Sequence, residues 1–158
     1  MVTLKTFHIS NITKKYLKWL KNKEITKYTS IKSNQKFYQI YNYIKQHQNN
    51  KLQKIYRIFY FNKHIGNIRI SYIDKSEVSF GILIGEKKYH SKKIGSKAFK
   101  LLTEILRKKN VNSIIAHVSK KNKIGISFFK KNNFFNSNSK KYLLKIKRHT
   151  YFIFKKNI

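Results

Sequence analysis

GEKKYHSKKIGSKAF, Gly85 to Phe99, lies between an apolar run ending at Ile84 and a helical pattern that follows it. Upstream, Glu77–Ile84 (EVSFGILI) has the compact apolar character of a buried strand. Downstream, Ala98, Leu101, Leu102, Ile105 and Leu106 recur at three and four and predict a helix from Ser96 to about Lys108. A strand, a basic turn and a helix thus follow one another directly. The first turn of a helix leaves N–H groups unpaired and carries a partial positive charge, so its mouth suits a phosphate. Gly95 is the one glycine inside the turn, where close approach of backbone to an anion favours several.

Outward from this stretch the chain reads as alternating short elements. Val2–His8 alternates like a strand. Ile12, Tyr16, Leu17, Trp19 and Leu20 predict a short helix with Ser10 or Asn11 as cap. Phe37, Ile40, Tyr41, Ile44 and His47 predict a second, capped by Ser33 or Asn34. Ile55–Phe61, His64–Ile73 and Glu77–Ile84 are three strands joined by short turns at Asn62–Lys63 and Asp74–Ser76, an antiparallel meander. Ser113–Val118 is a buried strand and Ile124–Lys131 a helix. Phe134 opens a further strand and Lys147–Phe154 closes the chain. The order β-α-α-β-β-β-α-β-α-β-β predicts an α/β (α+β) fold, a mixed and mostly antiparallel sheet flanked by about four helices. With no proline, no Gly/Ser-rich linker and no repeat, 1–158 reads as one domain.

Composition narrows the chemistry. The net charge is +32, from 33 lysines and four arginines against five acids. Lysine, isoleucine and asparagine excess points to an A+T-rich gene, but that bias does not account for the missing acids. A field of this sign favours anionic partners without naming one. With no cysteine, disulfides and thiolate chemistry are excluded. The six histidines show no metal-binding spacing, so no metal is expected. Walker-type and Gly-x-Ser-x-Gly patterns are missing as well. The first residues lack a signal-peptide core, and the most apolar run, Val78 to Gly85, is too short to span a bilayer. A cytoplasmic protein without a membrane span is expected, acting as monomer or homodimer.

Three stretches together resemble the GNAT superfamily of acyl-CoA N-acyltransferases. FGILIGEKKYHSKKIGSKAFKLLTEIL, Phe80 to Leu106, is similar to the family's strand, pyrophosphate turn and helix. AHVSKKNKIGISFFKKNNF, Ala116 to Phe134, is similar to its partner strand, asparagine and following helix. WLKNKEITKYTSIKSNQKFYQIYNYI resembles the branch of amino-sugar and protein N-terminal acetyltransferases. The resemblance implies acetyl-CoA as co-substrate. Its pyrophosphate would lie on the turn His90, Ser91, Lys92, Lys93, Ile94, Gly95 and Ser96. Its pantetheine arm would run along the backbone of Ile82, Leu83 and Ile84, where a strand bulge at Gly81 is one reading and an ordinary strand glycine the other. A backbone N–H near Ile82 or Leu83 would face the thioester oxygen.

The same resemblance places Asn122 on the asparagine that contacts the cofactor arm; its other reading is a helix N-cap, and the two are compatible. Departures also stand out. Lys93 replaces the first glycine of the turn and His90 its usual Gln or Arg. Phe129 occupies the position of the tyrosine that protonates the leaving thiolate, and phenylalanine carries no such proton. Asn133 replaces a glycine, a mild change because asparagine tolerates left-handed backbone.

An alkylammonium is not a nucleophile, so the site needs a base or a neutral amine. The resemblance offers His117, whose ordinary pKa of about 6.5 suits it, and Glu77, on the strand before the turn. A buried strand histidine and an exposed strand-start glutamate are the alternatives. Trp19 and Tyr28 are candidates for the acceptor wall, with plain core as Trp19's other reading. The leading function is transfer of an acetyl group to a primary amine, either a small molecule such as a nucleotide-linked amino sugar or a protein N-terminus. The alternative is a weakened scaffold binding nucleic acid, RNA or the ribosome, with aromatics interleaved among lysines for base stacking.

Overall fold

The structure, a computed structural model, describes residues 1–90, 92–137 and 150–158. Ser91 of the basic turn and positions 147–149 of the last predicted strand lie outside the described residues. Seven strands form one sheet: β1 (Val2–Thr6), β2 (Gln53–Tyr60), β3 (Lys63–Tyr72), β4 (Glu77–Ile84), β5 (Ser113–Ser119), β6 (Phe135–Asn136) and β7 (Tyr151–Asn157). Their spatial order is β1-β2-β3-β4-β5-β7-β6, and only β4 and β5 run parallel. Five helices accompany them among the described residues: α1 (Lys14–Lys21), α2 (Lys23–Thr26), α3 (Phe37–Asn49), α4 (Ile94–Arg107) and α5 (Lys123–Lys131). None is long and apolar enough to cross a membrane.

The predicted meander is present, its first turn one residue earlier than expected. Phe61 and Asn62, both left-handed (φ 43° and 59°), join β2 to β3 as a two-residue hairpin whose twist suits its strands. Asp74 holds the next turn, its carboxylate accepting the Ser76 N–H at 2.9 Å. Two cap expectations are corrected. The chain makes a single 3-10 turn at Ile9–Asn11, and Thr13 then caps α1 by accepting the Tyr16 N–H. At α3 the Gln39 side chain reaches back to the Lys36 N–H at 2.8 Å, so neither Ser33 nor Asn34 is the cap.

Side chains alternate across the strands and build a core on each face of the sheet. Val78 and Phe80 join Ala98, Phe99, Leu102 and Leu106 of α4 and Phe129 of α5 in the larger core. On the opposite face Tyr16, Trp19 and Leu20 of α1 and Ile40 and Ile44 of α3 pack with Ile55, and Leu83 leans against them. The two cores between them account for most large apolar residues; of the aromatics weighed for base stacking Tyr56 is buried, Tyr43 and Tyr60 pack against the cores, and Tyr38 and Phe61 are exposed.

Of the two readings of Gly81 the ordinary strand glycine is the one observed, and the bulge lies elsewhere. β3 and β4 stay in register from Tyr72↔Val78 to Gly66↔Ile84, with Gly81 opposite Arg69. The irregularity falls between Ile58 and Phe59 of β2, where Ile65 of β3 is the extra residue. Gly66 follows because any Cβ there would run into the Leu83 carbonyl.

Candidate active site

The site begins where two strands part. β4 and β5 pair only at Glu77↔Ser113, Val78↔Ile114 and Ser79↔Ile115, leaving Phe80–Ile84 and Ala116–Ser119 to diverge. The direction of the β4 peptide groups follows from two hydrogen bonds. Ile73 N–H donates to the Glu77 carbonyl and Gly85 N–H to the Ile65 carbonyl, each at 2.8 Å. Odd-numbered residues of β4 therefore bond to β3, and even-numbered ones turn their N–H and C=O toward β5. Ile82 thus directs both groups into the fork, while the Ile84 carbonyl accepts from His90 Nε2 at 3.0 Å. Leu83 turns its peptide groups toward β3 and its side chain toward the α1–α3 core.

The mouth of α4 lies where β4 ends. Lys93 is its N-cap residue and is left-handed, φ 58° and ψ 8°, the conformation that explains why a glycine is favoured there. Lys97 N–H closes the first turn onto the Lys93 carbonyl at 3.0 Å, so the N–H groups of Ile94, Gly95 and Ser96 precede any intrahelical bond. Lys92 and Lys93 are exposed beside them, and Ile94 is buried. Gly95 is confined: a Cβ there would stand 3.3 Å from Phe128 and 3.6 Å from Ile82. Ser96 accepts a hydrogen bond from the Asn132 side-chain amide at 3.0 Å. Behind the turn, Glu86 pairs with Lys15 of α1 and with Lys88 at 2.9 Å. Desolvation pushes the Glu86 carboxyl up, but the two lysines outweigh it and hold it below the usual carboxylate range.

Across the fork, Asn122 caps α5, its Oδ1 accepting the Gly125 N–H at 2.9 Å. Phe129 is 6% exposed, stacked on Phe154 and edge-on to Phe80 and Phe134. Asn133 has φ 61°, the backbone for which the family pattern carries glycine. Phe128, which the sequence reading passed over, forms one wall of the anion turn through its contact with Gly95.

The two candidate bases sit at opposite ends of the strands. His117, half-buried on β5, lies beyond the last β4–β5 pair, opposite Ile153 of β7. Glu77 is 3% exposed at the paired end, accepting from Ser113 Oγ at 2.6 Å and Lys155 Nζ at 3.1 Å. Trp19 and Tyr28 are not brought together. Trp19 is buried with its indole pressed on Gly85, whereas Tyr28 is 40% exposed under the Lys27 ammonium.

A fork with outward-turned peptide groups, ending at an amide-lined helix mouth, defines a fold that holds an extended, amide-rich, diphosphate-bearing molecule. The family model described as "Acetyltransferase (GNAT) domain" matches residues 2–134. The chain belongs to the GNAT acetyltransferase family, and its reaction class is transfer of an acetyl group from acetyl-CoA to an amine. No curated protein matches it. Solved structures share the fold at low identity. PaiA N-acetyltransferase from Thermoplasma acidophilum, in complex with coenzyme A, has a TM-score of 0.77 at 19% identity, over 100% of this chain and 99% of that one. N-acetyltransferase PseH from Campylobacter jejuni, in complex with acetyl coenzyme A, gives 0.66 at 16%, over 99% of each chain. Spermidine N-acetyltransferase from Vibrio cholerae, in complex with CoA and spermine, gives 0.77 at 13%, over 99% and 95%.

Proposed function

We propose that this protein acetylates a primary amine carried by a small molecule, with a nucleotide-linked amino sugar preferred over a protein N-terminus as acceptor. The observation that carries the reading is the early end of β4–β5 pairing, at Ser79↔Ile115, directly ahead of the α4 mouth. Acetyl-CoA supplies the activated acetyl group. The N–H groups of Ile94, Gly95 and Ser96, with Lys92 and Lys93 beside them, bind its diphosphate. Ile82 bonds its amide arm and orients the acyl carbon through its N–H. His90 ties the Ile84 carbonyl to the turn and so fixes the strand end.

His117 accepts the proton that the acceptor ammonium loses, from the α1–α3 side of the fork. The field of +32 helps by disfavouring the ammonium form of any amine bound nearby. Phe129 moves no proton; the thiolate leaves without an acid from this position, and the ring serves packing. Glu77, bonded to Ser113 and Lys155, serves as a structural ion pair. Titration calorimetry with acetyl-CoA, followed by turnover with amino-sugar nucleotides, tests the reading. Failure of the chain to bind CoA at micromolar concentrations overturns it.

A further inference from the structure

One residue on the acceptor side has no role in the steps above. Arg69 of β3 stands directly opposite Gly81 of β4, and opposite pairs in an antiparallel sheet project to the same face. That face is the one toward α1–α3, shared by Leu83 and, through the pair Ser79↔Ile115, by His117. Arg69, Gly81 and His117 therefore form a row running across the fork. A Cβ at Gly81 would meet no heavy atom within 4 Å, so the middle of the row is open space.

Arg69 is half-buried, and among the described residues no hydrogen bond or ion pair holds its guanidinium. Nor is there an acid left to serve it. Glu24 and Glu104 are exposed on α2 and α4, Asp74 is bonded to Ser76, Glu77 to Lys155, and Glu86 to Lys15 and Lys88. Those five are all the acids of the sequence. The walls around Arg69 carry polar atoms that also lack partners. His47 of α3 is 6% exposed with Nε2 unbonded, and Ser71 Oγ on the same face of β3 is buried and unbonded. The positive charge of Arg69 bears on both Tyr43 and His47 of α3.

We infer that Arg69 is a specificity residue that binds an anionic group, phosphate or carboxylate, on the acceptor, so that the substrate is an anion-bearing amine and not a polyamine. The inference rests on the transferase reading. A guanidinium forks onto either oxyanion through paired N–H donors, and burial strengthens the contact. Adjacent strands lie about 4.8 Å apart, and β4 and β5 have parted beyond Ser79↔Ile115, so more than two strand spacings separate Arg69 from His117. A molecule of amino-sugar size lying over the open space at Gly81 joins them, anion at Arg69 and amine at His117. A polycation finds no carboxylate here and meets repulsion from Arg69.

The test compares kcat/KM for glucosamine 6-phosphate against glucosamine, 6-aminohexanoate against hexylamine, and spermidine. Proteins are the wild type, Arg69→Gln, and Lys109→Gln as a remote control carrying the same charge change. The anionic member of at least one pair is expected to be preferred tenfold or more, and the pair that responds separates phosphate from carboxylate. Arg69→Gln should collapse that preference tenfold while CoA affinity holds; Lys109→Gln should preserve it. Calorimetry on the CoA-saturated protein reads the same ratio where turnover is slow. Equal use of neutral amines or spermidine by the wild type overturns the inference, as does a parallel shift in both variants. Loss of CoA binding in the wild type removes the transferase reading and this one with it. Intact CoA binding without anion preference removes this one alone.

Discussion

A Cβ on Gly95 would stand 3.3 Å from Cε2 of Phe128, so the ring on α5 sets how much backbone the α4 mouth leaves open to a diphosphate. Alanine fits if Phe128 gives a few tenths of an ångström. Valine adds two methyl groups to the same crowded side, and either the ring or the turn must move. Gly95→Val is expected to weaken CoA binding at least tenfold, about 1.4 kcal/mol. Gly95→Ala should weaken it less than about threefold, half that free energy or below. Calorimetric titration with CoA reads both, and unchanged affinity in the valine variant would remove the anion cradle from α4.

Lys93 yields a prediction of opposite sign. Its left-handed backbone, φ 58°, costs a non-glycine residue roughly 1–2 kcal/mol. Glycine relieves that strain but gains about 0.5–1 kcal/mol of unfolded-chain freedom. Lys93→Gly should therefore stabilise the fold modestly, read as a higher urea midpoint, and CoA affinity should become less sensitive to salt because a cation has left the mouth. A lower midpoint would mean that Lys93 holds the turn through a contact of its own.

Much of this arrangement was legible in the sequence because it is written in local periodicity. The spacing of Ala98, Leu102 and Leu106 marked α4, and all three are buried. Asn133 in place of glycine announced a left-handed residue, and its φ is 61°. The fork was not readable residue by residue, since where β4 and β5 part depends on register between segments far apart in the chain. Only the paired bonds at Gly85 and Glu77 show that Ile82, not Leu83, faces the gap. Trp19 stayed open between acceptor wall and plain core for a related reason. Helical spacing gives its direction but not its neighbour, and the space beneath it exists because residue 85 is glycine. Arg69 escaped notice altogether, because a lone arginine in an alternating strand reads as solvent-exposed until its cross-strand partner proves to be Gly81.

The two carboxyl- and imidazole-bearing candidates separate cleanly by experiment. Replacing a general base lowers turnover by roughly 10²–10⁴. His117→Ala should fall in that range for kcat and leave CoA affinity unchanged. Glu77→Ala strips the buried partner from Lys155 and Ser113, a change that costs about 3–5 kcal/mol of stability. Its turnover per folded molecule should hold. If Glu77→Ala folds normally and loses turnover while His117→Ala does not, the base assignment passes to Glu77.

The last prediction concerns acid stability. His64 sits among Phe7, Tyr16, Trp19 and Phe59, with Nε2 2.9 Å from Asn67 Oδ1. Burial lowers its pKa below the ordinary value, Arg57 and Lys15 add to that, and the Asn67 and Gly66 bonds oppose it without reversing it. In the unfolded chain the ring titrates near 6.5, so below that pH the unfolded state takes up a proton that the folded state refuses. Stability from this site is present above about pH 6.5 and is lost as pH falls toward the lowered folded-state pKa, by at most about 1.4 kcal/mol per pH unit. His47, also lowered by burial, adds a slope of the same sign. Urea midpoints measured from pH 7.5 to 5 should therefore decline in the wild type and decline less steeply in His64→Gln, whatever its stability at neutral pH. Equal slopes in the two proteins would show that His64 takes its proton inside the folded cage, where the flanking aromatic rings stabilise the cation.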